Sequence, residues 1–375
     1  MSLLQVKPPE SEIATKKKSS TSVFTKEYGP TTFITGMRAY AAVAVMLTHA
    51  GGAGLRTLGP LGQHLMELGA QGVTIFFVIS GFSVASSWEH SGSFTAYLYK
   101  RLARIVPLYY AWLFTATLTS TDAIEWQRRY GTSIDAYNML MHLTFMSWCD
   151  YRIACTILGV EWSIPVEVIW YLAIPFLLQL MSTAPRVACA VAGSLAWLVI
   201  VIGIKQILPL TAEDSAYAIH WSPLPYATSF VTGIAAYRIR QWRSTSSFSA
   251  AVVALAAPLA IVAWASLATP LSHTATYFFF TALSFCLIVF GDQSSSVFRG
   301  IFCNRATLLI GTISYGIYLS HMPLLRLLPY RRLSEELHPA VAFALFAICT
   351  FGVSALTYIA IERPFGRLAA KLVAR

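Results

Sequence analysis

Charge is scarce in this chain. Only 12% of its 375 residues are Asp, Glu, Lys or Arg, while 56% are hydrophobic and the mean hydropathy is +0.59. A soluble domain carries about twice that share of charge, so an ordinary soluble globular protein is excluded. Alternating segments of about ten residues, the mark of a membrane β-barrel, are missing too. The apolar runs are separate and roughly 17–24 residues long, each enough to cross a hydrocarbon core of about 30 Å as a helix. Residues 1–30 do not read as a secretory leader: a polar segment with Lys16, Lys17, Lys18 and Lys26 precedes the first run, and no small-residue cleavage pattern follows it. Residues 1–30 read as a disordered, basic cytoplasmic tail.

Other absences narrow the chemistry. HExxH does not occur, and His64, His90, His142, His220, His273 and His338 form no metal-ligand spacing, so no metal is expected. Neither a Walker loop nor GxGxxG is present to cradle phosphate. The net charge of +10 comes without a nucleic-acid motif, and its basic residues sit between apolar runs, where they set orientation instead. No solenoid repeat and no inverted pair of broken helices is found, which argues against a secondary transporter. Cysteine is sparse, six in all. Cys189, Cys286, Cys303 and Cys349 read as packing residues; Cys149 and Cys155 flank the loop CDYRIAC, where a disulfide and two free thiols both remain open.

What is present reads as an all-α, polytopic bundle of about ten transmembrane helices: 34–50, 72–88, 105–121, 161–181, 187–207, 222–240, 250–268, 274–291, 306–328 and 339–361. The segment 137–148 is too short to span and reads as re-entrant or interfacial. With both termini cytoplasmic, most of the 27 Lys and Arg residues fall inside. Arg326, Arg331 and Arg332 run against that bias. The domain expected over 31–365 is followed by a short cytoplasmic tail, 366–375.

The first run, 34-ITGMRAYAAVAVMLTHA-50, keeps Arg38 and His49. Eleven steps of 100° bring them within about 20° of the same face, about 16.5 Å apart along the axis. They line one passage, or else Arg38 snorkels to lipid phosphates and His49 packs near the outer interface. Arg101 and Arg104, at i and i+3, share a face and can clamp phosphate, although positive-inside bias alone would put arginines there. Pro107 suits the first turn of the third span. Ser314, Tyr318 and His321 fall on one face with Tyr315 beside them, a cavity wall or an interhelical hydrogen-bonding stripe.

The order of motifs along nearly the whole chain resembles the membrane acyltransferase-3 family. Gly36, Arg38 and His49 are followed by 72-GVTIFFVISGF-82, 101-RLARIVPLYY-110, 162-WSIPVEVIWYLAIP-175, 314-SYGIYLSHMP-323 and 361-IERP-364. The departures are Met37 for the usual Leu, Pro165 inside the WSxxxE block, and Thr35 where Asp is frequent, which removes a local carboxylate from Arg38. The resemblance implies transfer of an acyl group, usually acetyl, from cytoplasmic acyl-CoA to a hydroxyl of a cell-surface or lipid-linked glycan. It further implies a multi-pass protein of the cell membrane, the inner membrane of a bacterium, with acetyl-CoA as co-substrate. Some relatives carry an added extracytoplasmic hydrolase-like domain; ending at Arg375, this chain is expected to act on the acceptor itself or to hand the acyl group to a separate partner. Acylation of a small diffusible acceptor such as an antibiotic sugar, transport of an anionic solute, and homo-oligomerisation all stay open.

Within that chemistry His49 is the expected general base, because neutral imidazole titrates in the working range, and His321 is its rival. Glu167 is the acid expected to orient the imidazole. Arg38, Arg101 and Arg104 are assigned to acyl-CoA, and Ser163, Tyr315, Tyr318 and His321 to the acceptor or the cavity wall. Ser163 lacks a GxSxG elbow and does not read as a nucleophile. Ser80 is expected to allow close helix packing beside Gly81, Trp162 to anchor at the interface, and Glu362 to pair with basic residues at the donor mouth.

Overall fold

A computed structural model describes residues 29, 31–242, 273–291, 293–336 and 338–373. These residues are helical with no strand. The tail expected over 1–30, save residue 29, and the expected span 250–268 lie outside the described residues. In chain order the helices are α1 (Thr32–His49), α2 (Gly59–Gly69), α3 (Gly72–Glu89), α4 (Phe94–Leu118), α5 (Ile124–Tyr130), α6 (Ala136–Leu143), α7 (Ser163–Leu180), α8 (Ala184–Ile207) and α9 (Ala212–His220). There follow α10 (Ala227–Trp242), α11 (His273–Phe290), α12 (Ser296–Phe302), α13 (Arg305–Thr312), α14 (Ser314–Leu327), α15 (Tyr330–Glu336), α16 (Pro339–Thr357) and α17 (Arg363–Val373).

The architecture is that of a membrane helical protein. By length and composition Leu55–Glu89, Ser163–Leu180, Ala184–Ile207 and Pro339–Val373 can each cross a bilayer, and a fifth crossing appears if the bent pair Ser296–Thr312 and Ser314–Leu327 is one span. The expected single span 306–328 is therefore corrected: it breaks between α13 and α14 with a 52° bend. The third run also differs. Ser93 caps α4 by accepting from the Ala96 N–H, so Arg101, Arg104 and Pro107 lie inside the helix and Pro107 is not in its first turn. Polar Tyr97 and Lys100 hid the earlier start from a hydropathy reading. At the other end, residues 366–373 continue as helix α17.

Helix α3 is apolar almost all round, with Phe77, Val78, Ile79, Phe82, Val84 and Ala85 buried, as suits a central helix. It crosses α10 backbone to backbone. A Cβ added at Gly81 would lie 2.3 Å from the Phe230 carbonyl oxygen, and one at Gly233 would lie 2.2 Å from that of Val78. Small residues are what allow such a crossing in lipid, where dispersion replaces the hydrophobic drive. Helix α8 is the opposite case: Val199 and Ile207 are 69% and 80% exposed, an apolar face turned outward to lipid.

Residues 150–162 carry no regular helix, yet much of the segment is buried. At its start Arg152 donates to both Asp150 carboxylate oxygens, at 2.9 and 2.8 Å, and holds that carboxyl below its ordinary value. Deeper in, buried Glu161 accepts from the Ile157 and Val160 N–H groups at 2.7 and 2.9 Å. Arg326 donates to the Leu158 carbonyl at 2.8 Å and pairs with Glu125 at 2.6 Å. Non-helical backbone at depth is tolerated only when its polar groups are met in this way. The anomalous basic residue Arg326 is thus a clamp on this segment. Cys149 is exposed, Cys155 is buried, and both are free thiols.

A bulky residue at the α3–α10 crossing should be costly. Gly81→Val is expected to lower the thermal unfolding temperature in detergent, by a loss of at least about 1–3 kcal/mol; an unchanged midpoint would mean that the two backbones do not meet there.

Candidate active site

Five helices wall a cavity of about 80 Å³. Helix α1 contributes Arg38, α3 contributes Ser80, and α4 contributes Arg101 and Arg104. Helix α7 adds Ser163, Glu167 and Tyr171, and α14 adds Tyr315 and Tyr318. Helix periodicity explains the sets: 163, 167 and 171, like 101 and 104, recur on single faces.

Three guanidinium groups meet one carboxylate here. The Arg38 Nη2 donates to Ser83 Oγ at 3.1 Å, and the Arg101 Nη2 donates to the Ser83 carbonyl at 2.8 Å, so one residue of α3 holds both through neutral oxygens. The Arg101 Nε is buried without a partner. Arg104 is exposed and makes no hydrogen bond or ion pair among the described residues. The arrangement leaves an excess of positive charge in surroundings of low dielectric, where attraction to an anion is strong.

Glu167 is held by Ser80 Oγ, donating at 2.5 Å, and Tyr171 Oη, donating at 2.7 Å. Ser80 therefore serves the carboxylate, while close packing belongs to Gly81. Ser163 Oγ lies 2.6 Å from Tyr318 Oη, which donates to the Val160 carbonyl at 2.6 Å. With its own proton committed to Val160, Tyr318 accepts from Ser163, and no base faces the serine. Tyr315 Oη donates to the Ile105 carbonyl at 3.0 Å.

His49 does not meet Glu167. The direct imidazole–carboxylate pair expected from sequence is corrected, because α7 turns Glu167 to Ser80 and Tyr171 while α1 turns His49 to α14. There the His49 Nδ1 lies 3.2 Å from the His321 Nε2. Tyr318 touches both neighbourhoods, lining the cavity with its ring 6.1 Å from that of His321 and 6.3 Å from that of Phe76.

The two remaining supporting residues are placed as follows. Trp162 is buried rather than interfacial, packed 4.6 Å from the His220 ring and 5.7 Å from that of Tyr226. Glu362 faces the charge of Arg104, as expected of a residue at the basic mouth, but it makes no ion pair within 4 Å among the described residues, and its Oε1 is buried without a hydrogen bond in the π-turn Tyr358–Glu362. Sequence reasoning missed Ser83 and Tyr171. Tyr171 was findable, standing four residues after Glu167 on the same face; Ser83 looks like any small residue of an apolar run. No group of three or more His, Cys, Asp or Glu suited to a metal occurs among the described residues.

Residues 31–359 match the family described as an acyltransferase domain. The chain belongs to the acyltransferase-3 family. Acyltransferase MdmB of Streptomyces mycarofaciens is 27% identical over 240 residues, 60% of this chain and 62% of that protein. Nodulation protein 10 of Rhizobium leguminosarum bv. viciae is 32% identical over 178 residues, 42% and 48% of the two chains. The Regulator of hypoxia-inducible factor 1 of Caenorhabditis elegans is 24% identical over 370 residues, 84% and 72% of the two. No solved structure matches. This acyltransferase-3 chain thus places the arginine and WSxxxE blocks around one cavity, and Tyr318 joins that cavity to the histidine pair.

Removing the donors to Glu167 should be felt. Ser80→Ala and Tyr171→Phe are each expected to cost about 1.5 kcal/mol, the low end for a bond to a charged group because the carboxylate faces the cavity. Thermal unfolding in detergent reads it; a double variant as stable as the parent would show that these bonds do not hold Glu167.

Proposed function

We propose that this acyltransferase-3 chain is a membrane O-acyltransferase that takes an acyl group, acetyl in the first instance, from cytoplasmic acyl-CoA. It delivers that group to a hydroxyl of a cell-surface or lipid-linked glycan. The observation that carries the reading is the convergence of Arg38, Arg101 and Arg104 on one cavity with neutral or absent partners. Guanidinium forks left unpaired by carboxylates match phosphate oxygens, so the nucleotide end of CoA has a counter-charge waiting.

On this reading both termini are cytoplasmic and about ten helices cross the inner membrane of a bacterium. The pantetheine arm runs along α1 past Phe76 and Tyr318 towards His49. The His49 imidazole removes the proton of the acceptor hydroxyl as its oxygen attacks the thioester carbonyl. The carbon–sulfur bond breaks, the ester forms, and the proton passes to the departing CoA thiolate. Tyr315, Tyr318 and Ser163 line the route, and Glu167 keeps the arginine-rich wall from being wholly cationic. Ser163 forms no acyl-enzyme, since its proton is already donated to Tyr318 and no base accompanies it.

Acetyl-CoA binding and thioester cleavage by the detergent-purified protein test the reading, with folding checked by size exclusion. Arg38→Ala and Arg104→Ala are expected to weaken acetyl-CoA binding about 10- to 100-fold each, the worth of a charge-assisted contact. His49→Ala is expected to bind normally and to lose about 10²- to 10⁴-fold in turnover. A parent protein that neither binds nor cleaves acetyl-CoA would point instead to a carrier of an anionic solute.

A further inference from the structure

The two histidines do not share one role. His321 is fully buried, whereas His49 is partly exposed. Both ring nitrogens of His321 are spoken for: Nδ1 lies 3.0 Å from the Ile317 carbonyl oxygen, and Nε2 lies 3.2 Å from the His49 Nδ1. The His49 Nδ1 in turn lies 3.0 Å from the Val45 carbonyl oxygen. A carbonyl oxygen can only accept, so the nitrogens facing Ile317 and Val45 must carry the protons. The opposite assignment would set lone pair against lone pair at both carbonyls.

We infer that His321 is a positioning residue, whose Nε2 lone pair accepts from the His49 Nδ1–H and so holds the His49 Nε2 unprotonated and outward as the base. This rests on the acyl-transfer reading above. The His49 Nδ1–H is shared between the Val45 oxygen and His321 Nε2, and the chain continues from His321 Nδ1–H to the Ile317 oxygen. When His49 takes the hydroxyl proton on Nε2 it becomes an imidazolium, and its Nδ1–H bond to His321 becomes charge-assisted. A second imidazole thus fixes tautomer and orientation, the work a carboxylate does in a hydrolase triad. It does so without burying another charge in the bilayer, where an unpaired carboxylate is costly. His321 therefore cannot be the rival base: it has neither a free nitrogen nor access.

The test has two independent readouts on the full chain in detergent. Nitrogen NMR of ¹⁵N-histidine-labelled protein, assigned with His49→Ala and His321→Leu, is expected to show His49 with a proton-bearing Nδ1 and a bare Nε2. A proton on Nε2 in the resting protein would overturn the inference. For acetyl-CoA cleavage, His321→Leu is expected to lower kcat about 10²-fold or more while KM stays within about twofold. His321→Gln, whose amide oxygen can replace the Nε2 lone pair, is expected to recover at least about a tenth of parental kcat. Parental kcat in His321→Leu, or no difference between Leu and Gln in well-folded variants, would also overturn it. Should the parent cleave no acetyl-CoA while the tautomer pattern holds, the acyl-transfer reading falls and the hydrogen-bond chain stands.

Discussion

Ser83 is where the electrostatics of this protein are decided. Its side-chain oxygen takes one guanidinium and its carbonyl oxygen another, so Arg38 of α1 and Arg101 of α4 are held together on α3 without a carboxylate between them. Two like charges in an apolar medium repel, and neutral hydrogen-bond partners relieve only part of that cost. The remainder is available to an incoming anion. An Asp or Glu in place of Ser83 would neutralise the site from within and leave it with little to offer a phosphate.

That wall exists because α3 is fixed from its other side. The Gly81–Gly233 crossing brings α10 against its backbone, and the same helix turns Ser80 towards Glu167 on α7. From α7 a second chain of hydrogen bonds runs through Ser163 and Tyr318 to the Val160 carbonyl, which lies in the irregular segment held by Glu161 and Arg326. The cavity, the broken α13–α14 pair and that segment therefore share members. A displacement of one alters hydrogen bonds in the others, and buried polar networks of this kind are costly when half satisfied.

Much of the molecule was readable beforehand because apolar length and spacing are local properties. The helical class follows from runs of the right length, and the sets 163–167–171 and 101–104 follow from helical periodicity. Local patterning failed where a neighbour in space set the outcome. Hydropathy put the start of the third span near residue 105, because Lys100, Arg101 and Arg104 look like a boundary; Arg101 and Arg104 line the cavity instead, and the helix runs through all three. The bend between α13 and α14, the burial of Trp162 and the missing hydrogen bond at Glu362 Oε1 were hidden for the same reason.

The sequence by itself determined that this is a helical membrane protein with arginines and histidines inside its apolar runs, since too little charge remains for any other solvent and the motif blocks stand in the acyltransferase-3 order. It brought Arg38, Arg101 and Arg104 under suspicion, and rightly placed Arg38 and His49 on one helix. Only the tertiary structure decided the partners. Helix phase says which way a side chain leaves its own axis but nothing of what stands opposite. Rotation of α7 and α14 against α1 gave Glu167 to Ser80 and Tyr171, and gave His49 to His321.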